Sequence, residues 1–265
     1  MHTVNSPAAR VAIESLQSGS TRKRISRKNL ARIEFPLPPL SEQHRIVAKI
    51  EELFTQLDAG MAALGKAKAQ LRRYRQAVLK AAVEGELTRE WREAHRGELE
   101  PASVLLERIK EGRKKQAKKK RTELPPLDTS DLPELPEEWV WTSISDIGKV
   151  IGGLTKNRKR TDYPLQMPYL RVANVYADEL RLDDVKTIGV RESELERLLL
   201  EKGDMLVVEG NGSIKQIGRV ALWDGSISPC VHQNHIIKVR FSPVEIGEYA
   251  LYWLLSNDGR EQIVR

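Results

Sequence analysis

Two short loops carry side chains whose chemistry suits contact with nucleic-acid bases and phosphates. The first is a basic run at 156–160, and the second is a glycine-rich turn that begins at Gly210. Arginine pairs with guanine and asparagine or glutamine with adenine in the major groove, while cations also hold phosphates. Ordinary solvated loops would have the same composition. A third pair, Gln233 and Asn234, either faces DNA or ends a buried strand, and the sequence favours the strand end. The candidate DNA-binding residues are Lys156, Asn157, Arg158, Arg160, Asn211, Ser213, Lys215, Gln216 and Arg219.

The residues with catalytic or metal-binding chemistry form no recognisable site. Cys230, His232 and His235 are close in sequence, but a zinc site needs four converging ligands, and alternation along a strand turns His235 away from the other two. The run 210–215 lacks the Gly-Lys-Ser/Thr ending of a phosphate-binding loop. No methyltransferase or nuclease motif is evident. We therefore predict a binding protein without catalytic residues, metal or cofactor.

The net charge of +7 favours an anionic partner, most simply nucleic acid. Its distribution is uneven, because residues 136–265 hold 17 Lys and Arg against 19 Asp and Glu, a net of −2. Residues 1–135 therefore hold the whole excess, including the basic run Arg113 to Arg121. That run either contacts phosphate or forms a solvated helix end. Any DNA binding by the downstream domain must depend on local loops.

The stretch from Ser41 to Glu84 has the heptad pattern of a coiled coil. Ser41 is the predicted N-cap, and Gly85 the predicted stop. At about 1.5 Å per residue this helix is on the order of 60 Å long, too long for the core of a small globule. It needs a partner helix. The predicted seam consists of Ile50, Leu57, Leu64, Leu71 and Val78 at position a and Leu53, Ala67, Tyr74 and Ala81 at position d, with Gly60 as a gap.

The remaining sequence predicts short elements before the helix and an α+β domain after it. A helix is expected at 8–16, a helical turn at 26–30 and a strand at 33–37. A proline-rich linker lies near 122–138. Beyond it we expect strands at 147–151, 167–175, 204–209, 217–223 and 236–241, and helices at 195–200 and 247–257.

Several motifs together resemble the DNA-specificity (S) subunits of Type I restriction-modification systems. The most specific is Phe35-Pro36-Leu37-Pro38-Pro39-Leu40-Ser41-Glu42-Gln43, which leads into the heptad helix. The others are Leu135-Pro136-Glu137-Glu138-Trp139, Met167-Pro168-Tyr169-Leu170-Arg171 with Asn174-Val175, Gly203-Asp204-Met205-Leu206-Val207 and Ile217-Gly218-Arg219. Arg171, Asn174 and Arg219 belong to this framework, so they are either structural or DNA-contacting.

The resemblance implies an architecture in which paired antiparallel helices hold two target-recognition domains apart. On that plan, residues 1–40 end a first recognition domain, 41–98 form the spacer, 99–134 a basic helix and linker, and 135–265 most of another recognition domain. The fold class is α+β, a long coiled-coil spacer helix followed by a mixed α/β target-recognition domain. Against that plan the front of the first domain and the second helix would be missing, so we expect either a fragment or a half-subunit that dimerises antiparallel.

The same resemblance implies the partners. They are double-stranded DNA, methyltransferase subunits that methylate adenine, and a restriction subunit reached through the complex. The alternative is a coiled-coil scaffold whose C-terminal domain binds protein. With no run of about eighteen apolar residues, no signal-peptide core and a single cysteine, Cys230, we expect a cytoplasmic protein.

Overall fold

The computed structural model describes residues 7–17, 23–34, 36–116, 127–130, 132–210, 212–213 and 216–264. The chain divides into two compact units, which meet at Ala69 and Gln70. Helices before the first strand are α1 Pro7–Ser15, α2 Arg27–Leu30, α3 Leu40–Val83, α4 Arg89–Ala94, α5 Ala102–Gln116 and α6 Ile144–Ile147. Among the described residues, none of the helices is both long and apolar enough to cross a membrane.

The N-terminal unit contains two short helices and the first part of α3. The Ser26 hydroxyl accepts a hydrogen bond from the Asn29 amide at 3.1 Å and caps α2. Asn29 Nδ2 in turn donates to the Leu16 carbonyl, which ties α2 to the end of α1. The helices predicted at 8–16 and 26–30 are thus confirmed. The strand predicted at 33–37 is wrong for its described members, because the proline-rich sequence there offers few amide donors to a sheet.

The long helix α3 runs for 44 residues and confirms that the heptad stretch is one helix. It begins at Leu40, where the Pro39 carbonyl accepts from the Glu42 and Gln43 amides. Ser41 therefore lies inside the first turn, and its prediction as N-cap is wrong, because Pro39, two residues earlier, holds that position. The helix ends at Val83, and Gly85 follows with a φ of 75°, a left-handed conformation that glycine tolerates best.

The region after α3 is not a continuation of the same helix. A 3-10 turn at Glu86–Thr88 leads into the short α4, so the predicted spacer region 41–98 holds one long helix and one short one. A Cβ on Gly85 would lie 2.8 Å from Pro136 Cγ. The linker thus returns to the end of α3 just before the α+β domain begins.

The second unit is built on three sheets. The strands are β1 Gly148–Gly152, β2 Leu165–Leu170, β3 Val175–Tyr176, β4 Glu179–Leu180, β5 Lys186–Val190, β6 Met205–Val208, β7 Val220–Leu222, β8 Val231–His232 and β9 Ile236–Phe241, and the helices are α7 Glu192–Leu198, α8 Ile246–Leu255 and α9 Asn257–Val264. The largest sheet is antiparallel, with strand order β1-β9-β6-β7; the second has the order β5-β2-β8; and β3 pairs with β4. The apolar run of β6 is buried because both of its faces are covered: Leu206 and Val208 belong to one core cluster and Met205 to another.

Most of the elements predicted for this domain form, and the α+β class is confirmed. The strand at 236–241 has the predicted bounds, and the helix predicted at 247–257 is α8. The strand predicted at 167–175 stops at Leu170, because a 3-10 turn at Val172–Asn174 interrupts it. Of the basic run, Arg113 donates to the carbonyls of Ser145 and Gly148; residues 117–121 lie outside the described residues.

Within the second unit, one face of α3 packs against the α+β domain. Arg75 forms an ion pair with Asp178 at 2.8 Å, and Gln76 Nε2 donates to the Leu255 carbonyl. Leu79 and Val83 on the same helix are buried. The seam positions Leu57, Leu64, Leu71 and Tyr74 are 60%, 73%, 69% and 70% exposed. Of these, Leu71 and Tyr74 lie in the second unit, and they are therefore not on the face of α3 that contacts the domain.

Candidate nucleic-acid interface

The large sheet collects three connecting segments at one end. In the antiparallel pairing, Gly152 at the end of β1 lies opposite Ile237, and Val208 at the end of β6 lies opposite Ile236. The segment after β1, the segment after β6 and the turn before β9 therefore leave the sheet together. The two loops that the sequence predicted separately share this end.

The basic loop after β1 is held against the turn before β9. The Leu154 amide donates to the His232 carbonyl at 2.9 Å, and the Asn234 amide donates to the Leu154 carbonyl at 2.8 Å. Lys156, Asn157 and Arg158 follow directly and are exposed. All three side chains therefore face solvent.

Arg160 is not on the surface of that loop. Its guanidinium is buried and donates to the carbonyls of Thr155 and Gly189, and it pairs with the Glu194 carboxylate at 2.9 Å. The hydrogen bond from Arg160 lowers the pKa of Glu194. The structure therefore corrects the prediction of Arg160 as a loop cation, because its guanidinium joins the segment after β1 to β5 and α7 inside the protein.

The glycine-rich turn after β6 is the second loop. The Gly218 amide donates to the Val208 carbonyl at 2.8 Å, which closes the turn at its base. Ser213 is exposed, and Gln216 is half-buried. Asn211 and Lys215, both predicted DNA contacts, lie outside the described residues. The α9 helix supports the turn, because Arg260 donates to the Ile217 carbonyl.

Arg219, at the end of this turn, is buried. It donates to the Val172 carbonyl at 3.1 Å, and its guanidinium carbon lies 4.5 Å from the centre of the Tyr176 ring. Arg181 lies on the same ring at 3.8 Å. Arg219 thus anchors the β3–β4 hairpin. The sequence left a structural and a DNA-contacting role open for this residue, and its contacts are those of the structural role.

The turn Gln233–His235 lies between the two loops. The Glu209 amide donates to the His235 carbonyl at 3.0 Å, and a Cβ on Gly210 would lie 3.4 Å from His235 Nδ1. On its other side, Gln233 forms a parallel bridge with Leu154. The sequence favoured a buried strand end here. The structure instead shows a partly exposed turn, which no local pattern distinguishes from a strand.

His232, at the base of this turn, is fully buried, and its Nδ1 lies 2.9 Å from the Ile236 carbonyl. Burial lowers the pKa of His232 to about 4, helped by the nearby cations Lys238 and Arg197. Cys230 is also buried, and burial raises the pKa of its thiol to about 12. Both side chains are packed in the interior, and His235 lies outside it on the turn.

Acid is expected to destabilise the protein through His232. The unfolded chain takes up a proton near pH 6.5 and the folded chain only near pH 4, so stability is lost as pH falls through this window. The loss attributable to this residue is about 3 kcal/mol. His232→Asn, whose amide can donate to the same carbonyl, should show a shallower decline in urea denaturation between pH 7 and 4. Equal slopes for the two proteins would contradict this prediction.

Residues 8–63 match the family model described as "Type I restriction modification DNA specificity domain". The specificity subunit of the type I restriction enzyme EcoKI from Escherichia coli K12 is 28% identical over 99% of this chain and 48% of its own length. The EcoAI specificity subunit from Escherichia coli is 25% identical over 92% of this chain and 49% of its length. The crystal structure of the HsdS subunit from Thermoanaerobacter tengcongensis aligns with 93% of this chain and 51% of its own, at 16% identity and a TM-score of 0.37.

The chain thus spans about half the length of these curated relatives. The family match covers the entry into α3 and its first part, where the sequence motif is most specific. The longer alignments continue through the α+β domain. The chain is thus similar to type I restriction-modification DNA specificity subunits over most of its own length.

Proposed function

We propose that this chain recognises a DNA sequence as part of a type I restriction-modification complex. The observation that carries the proposal is the meeting of three polar segments at one end of the sheet. Exposed cations in the loop after β1 can hold phosphates, and the neighbouring amides can read bases. The relatives named above are specificity subunits, and they give no support to the scaffold alternative.

In this proposal the chain itself is not catalytic. A methyltransferase subunit would modify adenine and a restriction subunit would cut DNA, each directed by the sequence that this chain binds. Such a complex acts on cellular or invading DNA, so the proposed compartment is the cytoplasm. Methylation mapping in cells that carry the whole system tests the assignment: deletion of this chain should abolish methylation at one defined motif, and an unchanged methylation pattern would overturn it.

The loop after β1 should give DNA binding a measurable part of its salt dependence. Each phosphate contact removed lowers the slope of log affinity against log salt by about 0.9. We expect Lys156→Ala with Arg158→Ala to lower the slope by up to about 2 in a gel-shift titration with the methyltransferase subunit present. Lys202→Ala is the matched control, because Lys202 is exposed just before β6, at the opposite end of that strand. Equal slopes for all variants would exclude the loop from the interface.

The exposed seam of α3 is proposed to pair with a second helix, supplied by another chain in an antiparallel dimer. Apolar heptad positions this exposed favour pairing with another helix. Such a dimer would hold two recognition domains apart, so that the length of α3 sets the spacing between the two parts of the DNA target. A partner helix within a longer chain would pair with the same seam residues and set the same spacing.

Charges on the seam should prevent association without unfolding the domain. Leu57→Asp with Leu64→Asp is expected to shift the protein from dimer to monomer in sedimentation at micromolar concentration, because both changes bury carboxylates in the pair. Ala62→Asp with Ala69→Asp is the control, on the face of the heptad away from the seam. A wild-type protein that sediments as a monomer with intact helix content would contradict the dimer.

A further inference from the structure

The backbone of the turn Gln233–His235 is held from both sides. The Gln233 amide donates to the Leu170 carbonyl at 3.0 Å, and the Gln233 carbonyl accepts from the Ile236 amide at 2.9 Å. The Asn234 amide donates to Leu154, and the His235 carbonyl accepts from Glu209. The turn is thus bound to β2 and to both candidate DNA loops. Its position at the end of the sheet is determined by the fold rather than by a ligand.

The side-chain amides of the turn, unlike its backbone, take no part in these hydrogen bonds. Across the described residues, the side-chain amides of Gln233 and Asn234 form no hydrogen bond with the protein, although both residues are partly buried. By contrast, the framework amide Asn174 is buried and makes three side-chain hydrogen bonds, to Arg171, Arg181 and Asp184. A fixed backbone with unused amides presents donor and acceptor groups at low entropic cost.

We propose that Gln233 and Asn234 determine sequence specificity by reading an adenine in the half-site bound by this domain. A carboxamide presents one acceptor and one donor, which match the adenine N6 amino group and N7 in the major groove. The cations at Lys156 and Arg158 in the adjacent loop would hold the backbone phosphates while the turn meets the base edges. This inference rests on the proposed function and adds the residues and the base.

The test is methylation mapping with the full chain and a type I methyltransferase subunit, expressed in cells without other adenine methylation. Wild type should methylate one motif. Gln233→Ala or Asn234→Ala should relax one A·T position of that motif, with discrimination there reduced on the order of tenfold or more. Asn234→Asp keeps the shape of the side chain but can only accept from a base, so it should move preference toward cytosine at the same position. Asn257→Ala, an exposed amide outside all three segments, is the control.

The outcomes separate this inference from the proposed function. A wild-type chain that methylates no motif would overturn the proposed function and the inference with it. A wild-type motif that both alanine variants and their double variant keep unchanged at every position would overturn the inference alone. An alanine variant that loses methylation or melts at a lower temperature is tested by competition binding instead. Its affinity for the wild-type motif is then compared with its affinity for motifs that differ from it at one base. Lost discrimination at one A·T position supports the inference, and discrimination retained at every position overturns it.

Discussion

Asp204→Ala is expected to lower the free energy of unfolding by about 3–5 kcal/mol, because it leaves the buried ammonium of Lys238 without a carboxylate and removes the buried partner of the half-buried Arg240. Asp204 is 1% exposed and accepts two hydrogen bonds from Arg240, each at 2.7 Å. Lys238 Nζ is fully buried, 4.0 Å from the same carboxylate, and donates to the carbonyls of Arg197 and Leu199. Urea denaturation at pH 7 measures the loss.

The matched control is Glu201→Ala, which removes the other carboxylate that contacts Arg240. Glu201 is largely exposed, so its ion pair should contribute at most about 1 kcal/mol. Burial lowers the pKa of Lys238 to about 8, so Lys238 can lose its charge in mild alkali. The loss in free energy of unfolding caused by Asp204→Ala should therefore be smaller at pH 9 than at pH 7. A loss no larger than that of Glu201→Ala would show that the buried network is not needed for stability.

Gly153→Ala is expected to combine a loss of stability with a loss of DNA binding. A Cβ at this position would lie 2.2 Å from the Gln233 carbonyl oxygen and 2.5 Å from that of His232. Both are backbone atoms, which cannot avoid the clash by a side-chain rotation. The loop must therefore move away from the turn Gln233–His235. The expected cost is about 3 kcal/mol, at the upper end of the range for overpacking. Specific DNA affinity should fall with it, because the cations at 156–158 would move relative to the turn.

Gly152→Ala is the control for this substitution. Gly152 is the preceding residue, and a Cβ there would meet no atom within 4 Å. Its expected cost in thermal melting is within about 0.5 kcal/mol, as for other surface substitutions. Similar melting temperatures and similar DNA affinities for the two variants would mean that the contact between the loop and the turn does not shape the candidate interface.

The local elements were predictable wherever a local signal exists. The heptad pattern, the proline-rich entry and Gly85 located α3 to within about a residue at each end. Apolar runs located β6 and β9. The prediction failed for the described part of 33–37, where proline interrupts the run, and beyond Leu170, where a 3-10 turn at Val172–Asn174 ends the strand. Hydrogen bonding between strands depends on residues far apart in the chain, so composition cannot reveal it.

Arg160 shows why the site was only partly predictable. In sequence it belongs to an exposed basic run, and four of its five members are exposed. Its partners, Gly189 and Glu194, are 29 and 34 residues away, and no spacing rule connects them. The turn Gln233–His235 differs from Arg160 in the opposite direction. The sequence predicted a strand end there, and the structure places it between the two loops that were predicted to bind DNA.

By itself, the sequence determined the α+β class and the bounds of α3, because heptad spacing, proline motifs and apolar runs act over a few residues. The tertiary structure decided which charges are free to meet a ligand and which loops meet each other. Antiparallel pairing of β9 with β1 and β6 brings residues 153, 209 and 235 to one end of the sheet. That juxtaposition depends on strand register, which local sequence patterns do not encode.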